Sequence, residues 1–592
     1  MRATIQDNLD RARRNLDFAE VQDVGGWKWD EKNQEWCLEF SIVIETEKLL
    51  PSKTHWIASV GQDYPDGIIE IYPAAANGIR DTYPHQANNG WNAVTAKNSL
   101  HRPGALCLLS GTSKEAIPNN ADFKLRYYIW KAIKWVAAAN DGSLQEEGDP
   151  FEFPMFKYSV SIDPRLRLVL FKEDMVSADI WRMNSSGSTG MMGVSQFGDG
   201  IAVIRSFYDS AENLLYEPSW GKKVKSSDDT QIGFWIRVKS IPHVNKWQAP
   251  NTYSELREWL ASDGIDFEGW LRKVSPKIRD GKRHLIAFGA MAPDYVGDKP
   301  KHLTWFLLLL PKLNYSNAFE RGRHAKESAL FRLDKGQHFR DEIQLTWVVG
   351  QNCAPGQLHS RGMINSGVRN SKVLIIGAGS LGSAVADMLA RGGLCNIDIS
   401  DDDSFVPGNI TRHVLSINSS ESSKAKSLAK HLNEISPNVD AGSTSALTHD
   451  NYAILNNYDL VIDCSASSLV LELLDESNST GNIVVASFGF AAENVYFCLD
   501  NIASFSAATF REKFSPYIEK DSVKINYANL PLEGTGCWSP VFPAKDSDVK
   551  RAASLVVDTL LATYGVGKSC SIVFTIKRDS NGIIDSIEKN LI

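Results

Sequence analysis

The run Gly377-Ala378-Gly379-Ser380-Leu381-Gly382 carries the most suggestive spacing in this 592-residue chain. A G-x-G-x-x-G string between an apolar strand and a helix lets the backbone come close to a pyrophosphate, and the helix N-terminus attracts its charge. Asp401 follows 24 residues after Gly377 and is placed to accept hydrogen bonds from a ribose. On these features alone the chain would be a dinucleotide-dependent dehydrogenase.

Such a turn works only if regular elements hold it. Val373-Leu-Ile-Ile-Gly377 reads as a buried strand, residues 384–391 as a helix and 395–400 as a second strand. A helix with Leu428, Leu432 and Ile435 on one face and a strand over 459–463 continue the alternation. Alternating strand and helix predict a doubly wound parallel sheet.

The segment Asp401-Asp-Asp-Ser-Phe-Val-Pro-Gly-Asn409-Ile-Thr-Arg412-His413 decides against the dehydrogenase. With Lys424 and the later Ser436-Pro437-Asn438, it resembles the ubiquitin-activating, MoeB and ThiF family. That family has an acidic residue at the strand end, then D-x-V-x-x-S-N-L-x-R-Q, then a lysine thirteen residues before the proline of N-P. Asp403, Asn409, Arg412, Lys424 and Pro437 match it position by position. The resemblance implies ATP as cosubstrate and adenylation of a C-terminal carboxylate. Charge builds on the α-phosphate and on departing pyrophosphate, so Arg412 and Lys424 would neutralise it while Asn409 orients it. Gly377, Gly379, Gly382, Asp401 and Asp403 complete the expected nucleotide site. Two positions depart from the pattern. Ser465-Ala466-Ser467 stands where the family carries its magnesium aspartate, making Asp463 the nearest acidic candidate for Mg2+. Arg412-His413 replaces the family's R-Q, the milder change.

Two cysteines extend the chemistry. Gly534-Thr-Gly-Cys537-Trp-Ser-Pro-Val-Phe-Pro543 precedes a predicted helix over 548–564 and resembles the catalytic-cysteine stretch of ubiquitin-activating enzymes. Cys107 lies in His101-Arg-Pro-Gly-Ala-Leu-Cys107-Leu, after a predicted helix, a meander and a long irregular segment, and before a helix over 122–140. That order resembles a ubiquitin-conjugating domain. Asn98 lies nine residues before Cys107 where the family's oxyanion Asn lies eight before, and His85 and His101 are candidate polarising residues.

The N-terminal stretch opens with Leu9, Ala12, Leu16 and Ala19 at helical spacing, then alternates as a strand over 38–44 and again over 67–72. A polar Gly/Pro connector over 141–150 marks a boundary. The region to about 365 mixes strands and helices without a defensible catalytic constellation. The fold class expected is multidomain α/β: an α+β conjugating-like domain over 1–150, a mixed linker domain over 151–365, and a Rossmann-like adenylation domain over 366–592.

With 43% hydrophobic and 23% charged residues and a formal net charge of -8, the chain reads as globular. Mild acidity argues against a broad nucleic-acid surface. The longest apolar run, residues 305–310, is far short of a membrane span and reads as a buried strand. The acid-interspersed N-terminus lacks a secretory pattern, so a cytoplasmic location is expected. Eight scattered cysteines without a CxxC pair suggest neither a disulfide framework nor a four-thiolate zinc site.

The whole resembles the fused conjugating–activating proteins of bacterial CBASS antiviral operons. That resemblance implies a relay in which a carboxylate is adenylated, captured on Cys537, passed to Cys107 and delivered to a target amine. It also implies a homodimer, with Arg361 and Arg369 as candidates to act across it, and a cGAS-like nucleotidyltransferase as the protein whose C-terminus is activated. A sulfur-carrier adenylyltransferase of the MoeB/ThiF type would need the same ATP residues without Cys107. A non-catalytic scaffold controlled by nucleotide is the third reading, and Ala466 favours it.

Overall fold

The structure is a computed structural model that describes all residues except 1–3, 91–98, 110–116, 159–165, 184–186, 228–229, 315–325, 478, 526–529, 531, 534–538, 541–542 and 567–568. It divides into two compact units, one comprising Met1–Val194, Gly198–Glu217 and Thr230–Gln351, the other Ser195–Phe197, Pro218–Asp229 and Asn352–Ile592.

In the first unit the opening helix, Ile5–Arg14, starts at a Thr4–Asp7 capping box and ends at Asn15, whose amide bonds back to the Ala12 carbonyl. The helical spacing therefore stops short of Ala19, which is exposed. Leu9 and Ala12 pack on an antiparallel meander built from Glu35–Val43, Lys53–Val60 and Ile69–Pro73. Helix Lys124–Asp141 covers the same core with Leu125, Ile129, Ala132 and Val136. The middle of the chain forms a second, mixed sheet of eight described strands. The run expected to be a buried strand is one, as His302–Leu309.

The second unit is the doubly wound sheet. Five parallel strands, in the spatial order Asp440–Thr444, Asn396–Ser400, Lys372–Ile376, Leu460–Asp463 and Asn482–Phe488, continue into three antiparallel ones, Asn494–Asn501, Cys570–Arg578 and Ile584–Leu591. Successive side chains of a strand point to opposite faces, and both faces are covered here. Val373 and Ile375 meet the helices Ser380–Arg391, Lys424–Ile435 and Asp546–Thr563 through Val385, Leu389, Leu428, Leu432, Val549 and Val556. Leu374 and Ile376 meet Val470, Leu474, Phe510 and Phe514 on the other side. Residues 218–229 belong to this unit by packing, and a Cβ at Gly221 would lie 2.0 Å from the Val439 carbonyl. The helix after the glycine turn begins at Ser380 rather than near 384, because Gly382 is used for close approach rather than excluded from the helix.

Candidate active site

The strand Lys372–Ile376 delivers the chain to Gly377, whose φ of +89° lies in the region that favours glycine. A Cβ there would meet the Ser465 N and Cα at 2.8 Å. Gly382 seats the helix against the turn, since a Cβ at that position would lie 1.9 Å from the Gly377 carbonyl oxygen. Gly379 differs: it caps the 12-residue helix without a side chain, and nothing lies within 4 Å of where its Cβ would be. The three glycines thus divide into two that pack and one that leaves the helix N-terminus open to an anion.

Asp401 is tied to the glycine turn. Its Oδ2 accepts from the Ala378 amide at 2.6 Å and its Oδ1 from the Asp403 amide at 2.8 Å. Burial nonetheless raises its pKa from the ordinary carboxylate value. The Ala378 peptide is held on its other side by His413, whose Nε2 lies 2.7 Å from the Ala378 carbonyl oxygen. In the sequence His413 stands out only as a departure from R-Q. The signal that could have found it was that one unusual residue beside Arg412.

Asn409 and Arg412 sit on a short 3-10 turn, Pro407–Thr411, and its end. Asn409 Oδ1 accepts from the Val406 amide at 3.1 Å, its carbonyl accepts from the Arg412 amide at 3.1 Å, and Arg412 is half-buried. Lys424 opens the helix Lys424–Ile435, where a cation opposes the helix dipole. Asp403 compensates: its carbonyl accepts from the Lys424 amide at 2.9 Å and its Oδ2 from Nζ at 2.7 Å. Lys424 is only 12% exposed in its side chain against 67% for Asp403, so the ammonium is held inward.

Asp463 ends the strand paired with Lys372–Ile376, directly beside Ile376. Its Oδ1 accepts from the Ser465 amide (2.9 Å) and hydroxyl (2.6 Å), while Oδ2 is buried without a partner. Burial pushes its pKa up to about 6. A hard, anionic oxygen with an unmet valence suits a divalent cation, and Asp463 fits the magnesium role on that ground. Ala466 is left-handed with φ of 55°, a conformation an Asp or Asn would tolerate better. The Asp401, Asp402 and Asp403 carboxylates also lie within 4.8 Å of one another.

In the first unit Cys107 is exposed, and its amide donates to the His85 carbonyl at 2.8 Å. The ring of His85 turns to Glu152, with Nδ1 2.8 Å from Oε2, and that carboxylate raises its pKa. His101 stacks on Tyr72 with ring centroids 3.9 Å apart, its Nδ1 lies 2.8 Å from the Arg102 carbonyl oxygen, and its Nε2 is buried without a partner. Cys37 makes the contrast: it is buried, and burial pushes its thiol up to about 12. Cys537 and Asn98 lie outside the described residues.

Residues 142–353 match the family described as the Cap2 central linker domain, and residues 361–476 match the ThiF family. Over 558 residues the chain is 28% identical to the ATP-dependent ubiquitin transferase-like protein Cap2 of Enterobacter hormaechei subsp. hoffmannii, spanning 88% of each protein. The chain is a homologue of Cap2 with a ThiF-family domain. It is also 33% identical over 130 residues to the adenylyltransferase and sulfurtransferase UBA4 of Vanderwaltozyma polyspora, but these are 21% of this chain and 30% of UBA4. UBA4 of Candida albicans gives 33% over 132 residues, again 30% of that protein. Among solved structures, E. coli MccB with AMPCPP and MccA aligns at 17% identity over 38% of this chain and 64% of its own, with a TM-score of 0.28. No helix among the described residues is long and apolar enough to cross a membrane.

Proposed function

We propose that the chain uses ATP to activate the C-terminal carboxylate of a protein and passes the acyl group through two of its own cysteines to an amine. The observation that carries this reading is the clamped phosphate turn with Lys424 held inward beside it, in a chain similar to Cap2 over nearly its whole length.

A carboxylate oxygen of the bound protein attacks the α-phosphorus, and pyrophosphate leaves. The open helix N-terminus at Gly379 receives phosphate charge, and Lys424 exchanges Asp403 for the phosphates as that charge grows. Arg412 acts with it, and Asn409 orients the chain that presents them. Magnesium, which supplies charge neutralisation on the phosphates when bound, would be held by Asp463 through its unpartnered oxygen. The Cys537 thiolate then attacks the acyl carbon and AMP leaves. Cys107 attacks the resulting thioester, freeing Cys537, and the target amine finally displaces Cys107 and gives up a proton. Residues up to about 150 are the ubiquitin-conjugating-like part of this relay, and the exposure of Cys107 is what an acceptor thiol needs. The protein activated is a cGAS-like nucleotidyltransferase, in the cytoplasm, by a homodimer of the chain.

The test incubates the chain with ATP, magnesium and such a nucleotidyltransferase, and resolves reducible adducts for wild type, Cys537→Ala and Cys107→Ala. The relay requires that Cys537→Ala lose every adduct and that Cys107→Ala keep one, on Cys537. Adenylate without any thioester would sink the relay in favour of sulfur-carrier chemistry, and absence of ATP turnover would leave a scaffold.

A further inference from the structure

Both ring nitrogens of His413 are committed. Nε2 faces the Ala378 carbonyl at 2.7 Å, and the Leu415 amide reaches Nδ1 at 3.1 Å. A carbonyl only accepts and an amide N–H only donates, so Nε2 carries the proton and Nδ1 the lone pair. The geometry selects the neutral imidazole in one tautomer. The ring is fixed edge-on to Phe405, centroids 5.1 Å apart at 78°, and Phe405 is fully buried. Burial most strongly opposes a positive charge on the ring, the bond to the Ala378 carbonyl favours one, and the charged and titratable groups facing it, Lys424 and His431, both oppose it. Across the Ala378 peptide lies Asp401, which takes the amide while His413 takes the carbonyl.

We propose that His413 is a positioning residue for nucleotide binding, joining the phosphate turn to the segment that carries Arg412, and that only its neutral form does so. The inference rests on the adenylation reading for what the site does, but concerns how it is held. Adding a proton to Nδ1 removes the acceptor for Leu415 and strands a buried amide. The imidazole nitrogens flank one carbon, as the oxygen and nitrogen of a carboxamide do, so glutamine offers the same acceptor and donor without titrating.

The experiment titrates ATP calorimetrically into the full chain across a pH series, for wild type, His413→Leu and His413→Gln, beside thermal melts. Loss of one buried hydrogen-bonding pair predicts that His413→Leu weakens ATP binding about tenfold or more. His413→Gln restores it to within about threefold, as the shared donor and acceptor require. Wild-type affinity falls on acidification below the ordinary histidine range, beyond the fall that ATP's own protonation imposes on both proteins, and His413→Gln lacks that extra limb. Wild-type affinity in a normally melting His413→Leu overturns the proposal. So does an unchanged acid limb in His413→Gln, which decides the matter should the leucine variant fold poorly. With the nucleotidyltransferase added to supply the carboxylate, ATP binding without pyrophosphate exchange in wild type would sink the adenylation reading alone; exchange intact with affinity indifferent to His413 would sink this one alone. Failure of wild type to bind ATP at all overturns both.

Discussion

A methyl group on Gly382 would lie 1.9 Å from the carbonyl oxygen of Gly377, five residues earlier. The helix is therefore seated directly on the backbone of the turn before it, and the glycines of one motif do unlike work.

Gly382→Ala must push the helix off the turn. Overpacking of this kind costs about 1–3 kcal/mol, so the variant should melt several degrees lower in a thermal scan and lose ATP affinity with it. Gly379→Ala has open space and an ordinary φ of -73°. It should leave the melt within about 0.5 kcal/mol of wild type, as surface substitutions do, yet impair ATP binding because the methyl occupies the approach of the phosphates. A Gly379→Ala variant that binds ATP normally would show that the phosphates lie elsewhere.

Lys424→Met and Arg412→Ala remove charge without removing a core side chain. Each should lower ATP–pyrophosphate exchange by about 10²–10³-fold, the scale for one lost electrostatic contact to a transition state, while circular dichroism stays native. Asp403→Asn should be milder, since it releases Lys424 rather than deleting it.

Asp463 gives a pH signature. Burial raises its folded pKa to about 6, above the ordinary carboxylate value of about 3.9, so the folded state holds the proton more tightly than the unfolded chain. Its favourable contribution is full below the unfolded value and is lost as pH rises through about 6. In magnesium-free buffer, the melting temperature of wild type relative to Asp463→Asn should drop between about pH 4 and pH 7 by an amount worth on the order of 2–3 kcal/mol. Added magnesium should recover part of that loss in wild type only.

Ala466 spends a left-handed conformation on a residue that disfavours it. Ala466→Gly should stabilise the unit by roughly 1 kcal/mol in denaturant unfolding. Ala466→Asp should lower the magnesium concentration that half-saturates exchange; an unchanged requirement would mean that this turn does not face the ion.

Under native conditions iodoacetamide should label Cys107 and spare Cys37, Cys353 and Cys498, which are buried. Mass spectrometry of digested protein reads this directly. Labelling of Cys37 at the rate of Cys107 would contradict the meander packing.

The sheet of the second unit was legible because its strands are continuous apolar runs and its helices carry apolar residues at helical spacing, as Leu428 and Leu432 do. Asn409, Arg412 and Lys424 were legible as residue types at fixed intervals. The clamp was not, because His413 and Ala378 are 35 residues apart and meet only once the sheet has formed. Cys107 was legible only through the order of elements around it, since Cys37 and Cys107 both have apolar neighbours in the chain; the burial of Cys37 against Ile57 and Ala74 appears only once the meander has formed. The turn of His85 toward Glu152 likewise depends on a contact across 67 residues.

The helices Ala507–Ser522 and Asp546–Thr563 are each seated in the core of the second unit, the first by Phe510 and Phe514, the second by Val549, Ala552 and Val556. The stretch in which Cys537 is written runs between two fixed posts. Both helices pack in the cores that also hold the strand leading to the nucleotide turn, so a change at their anchoring side chains reaches the nucleotide and the thiol stretch together.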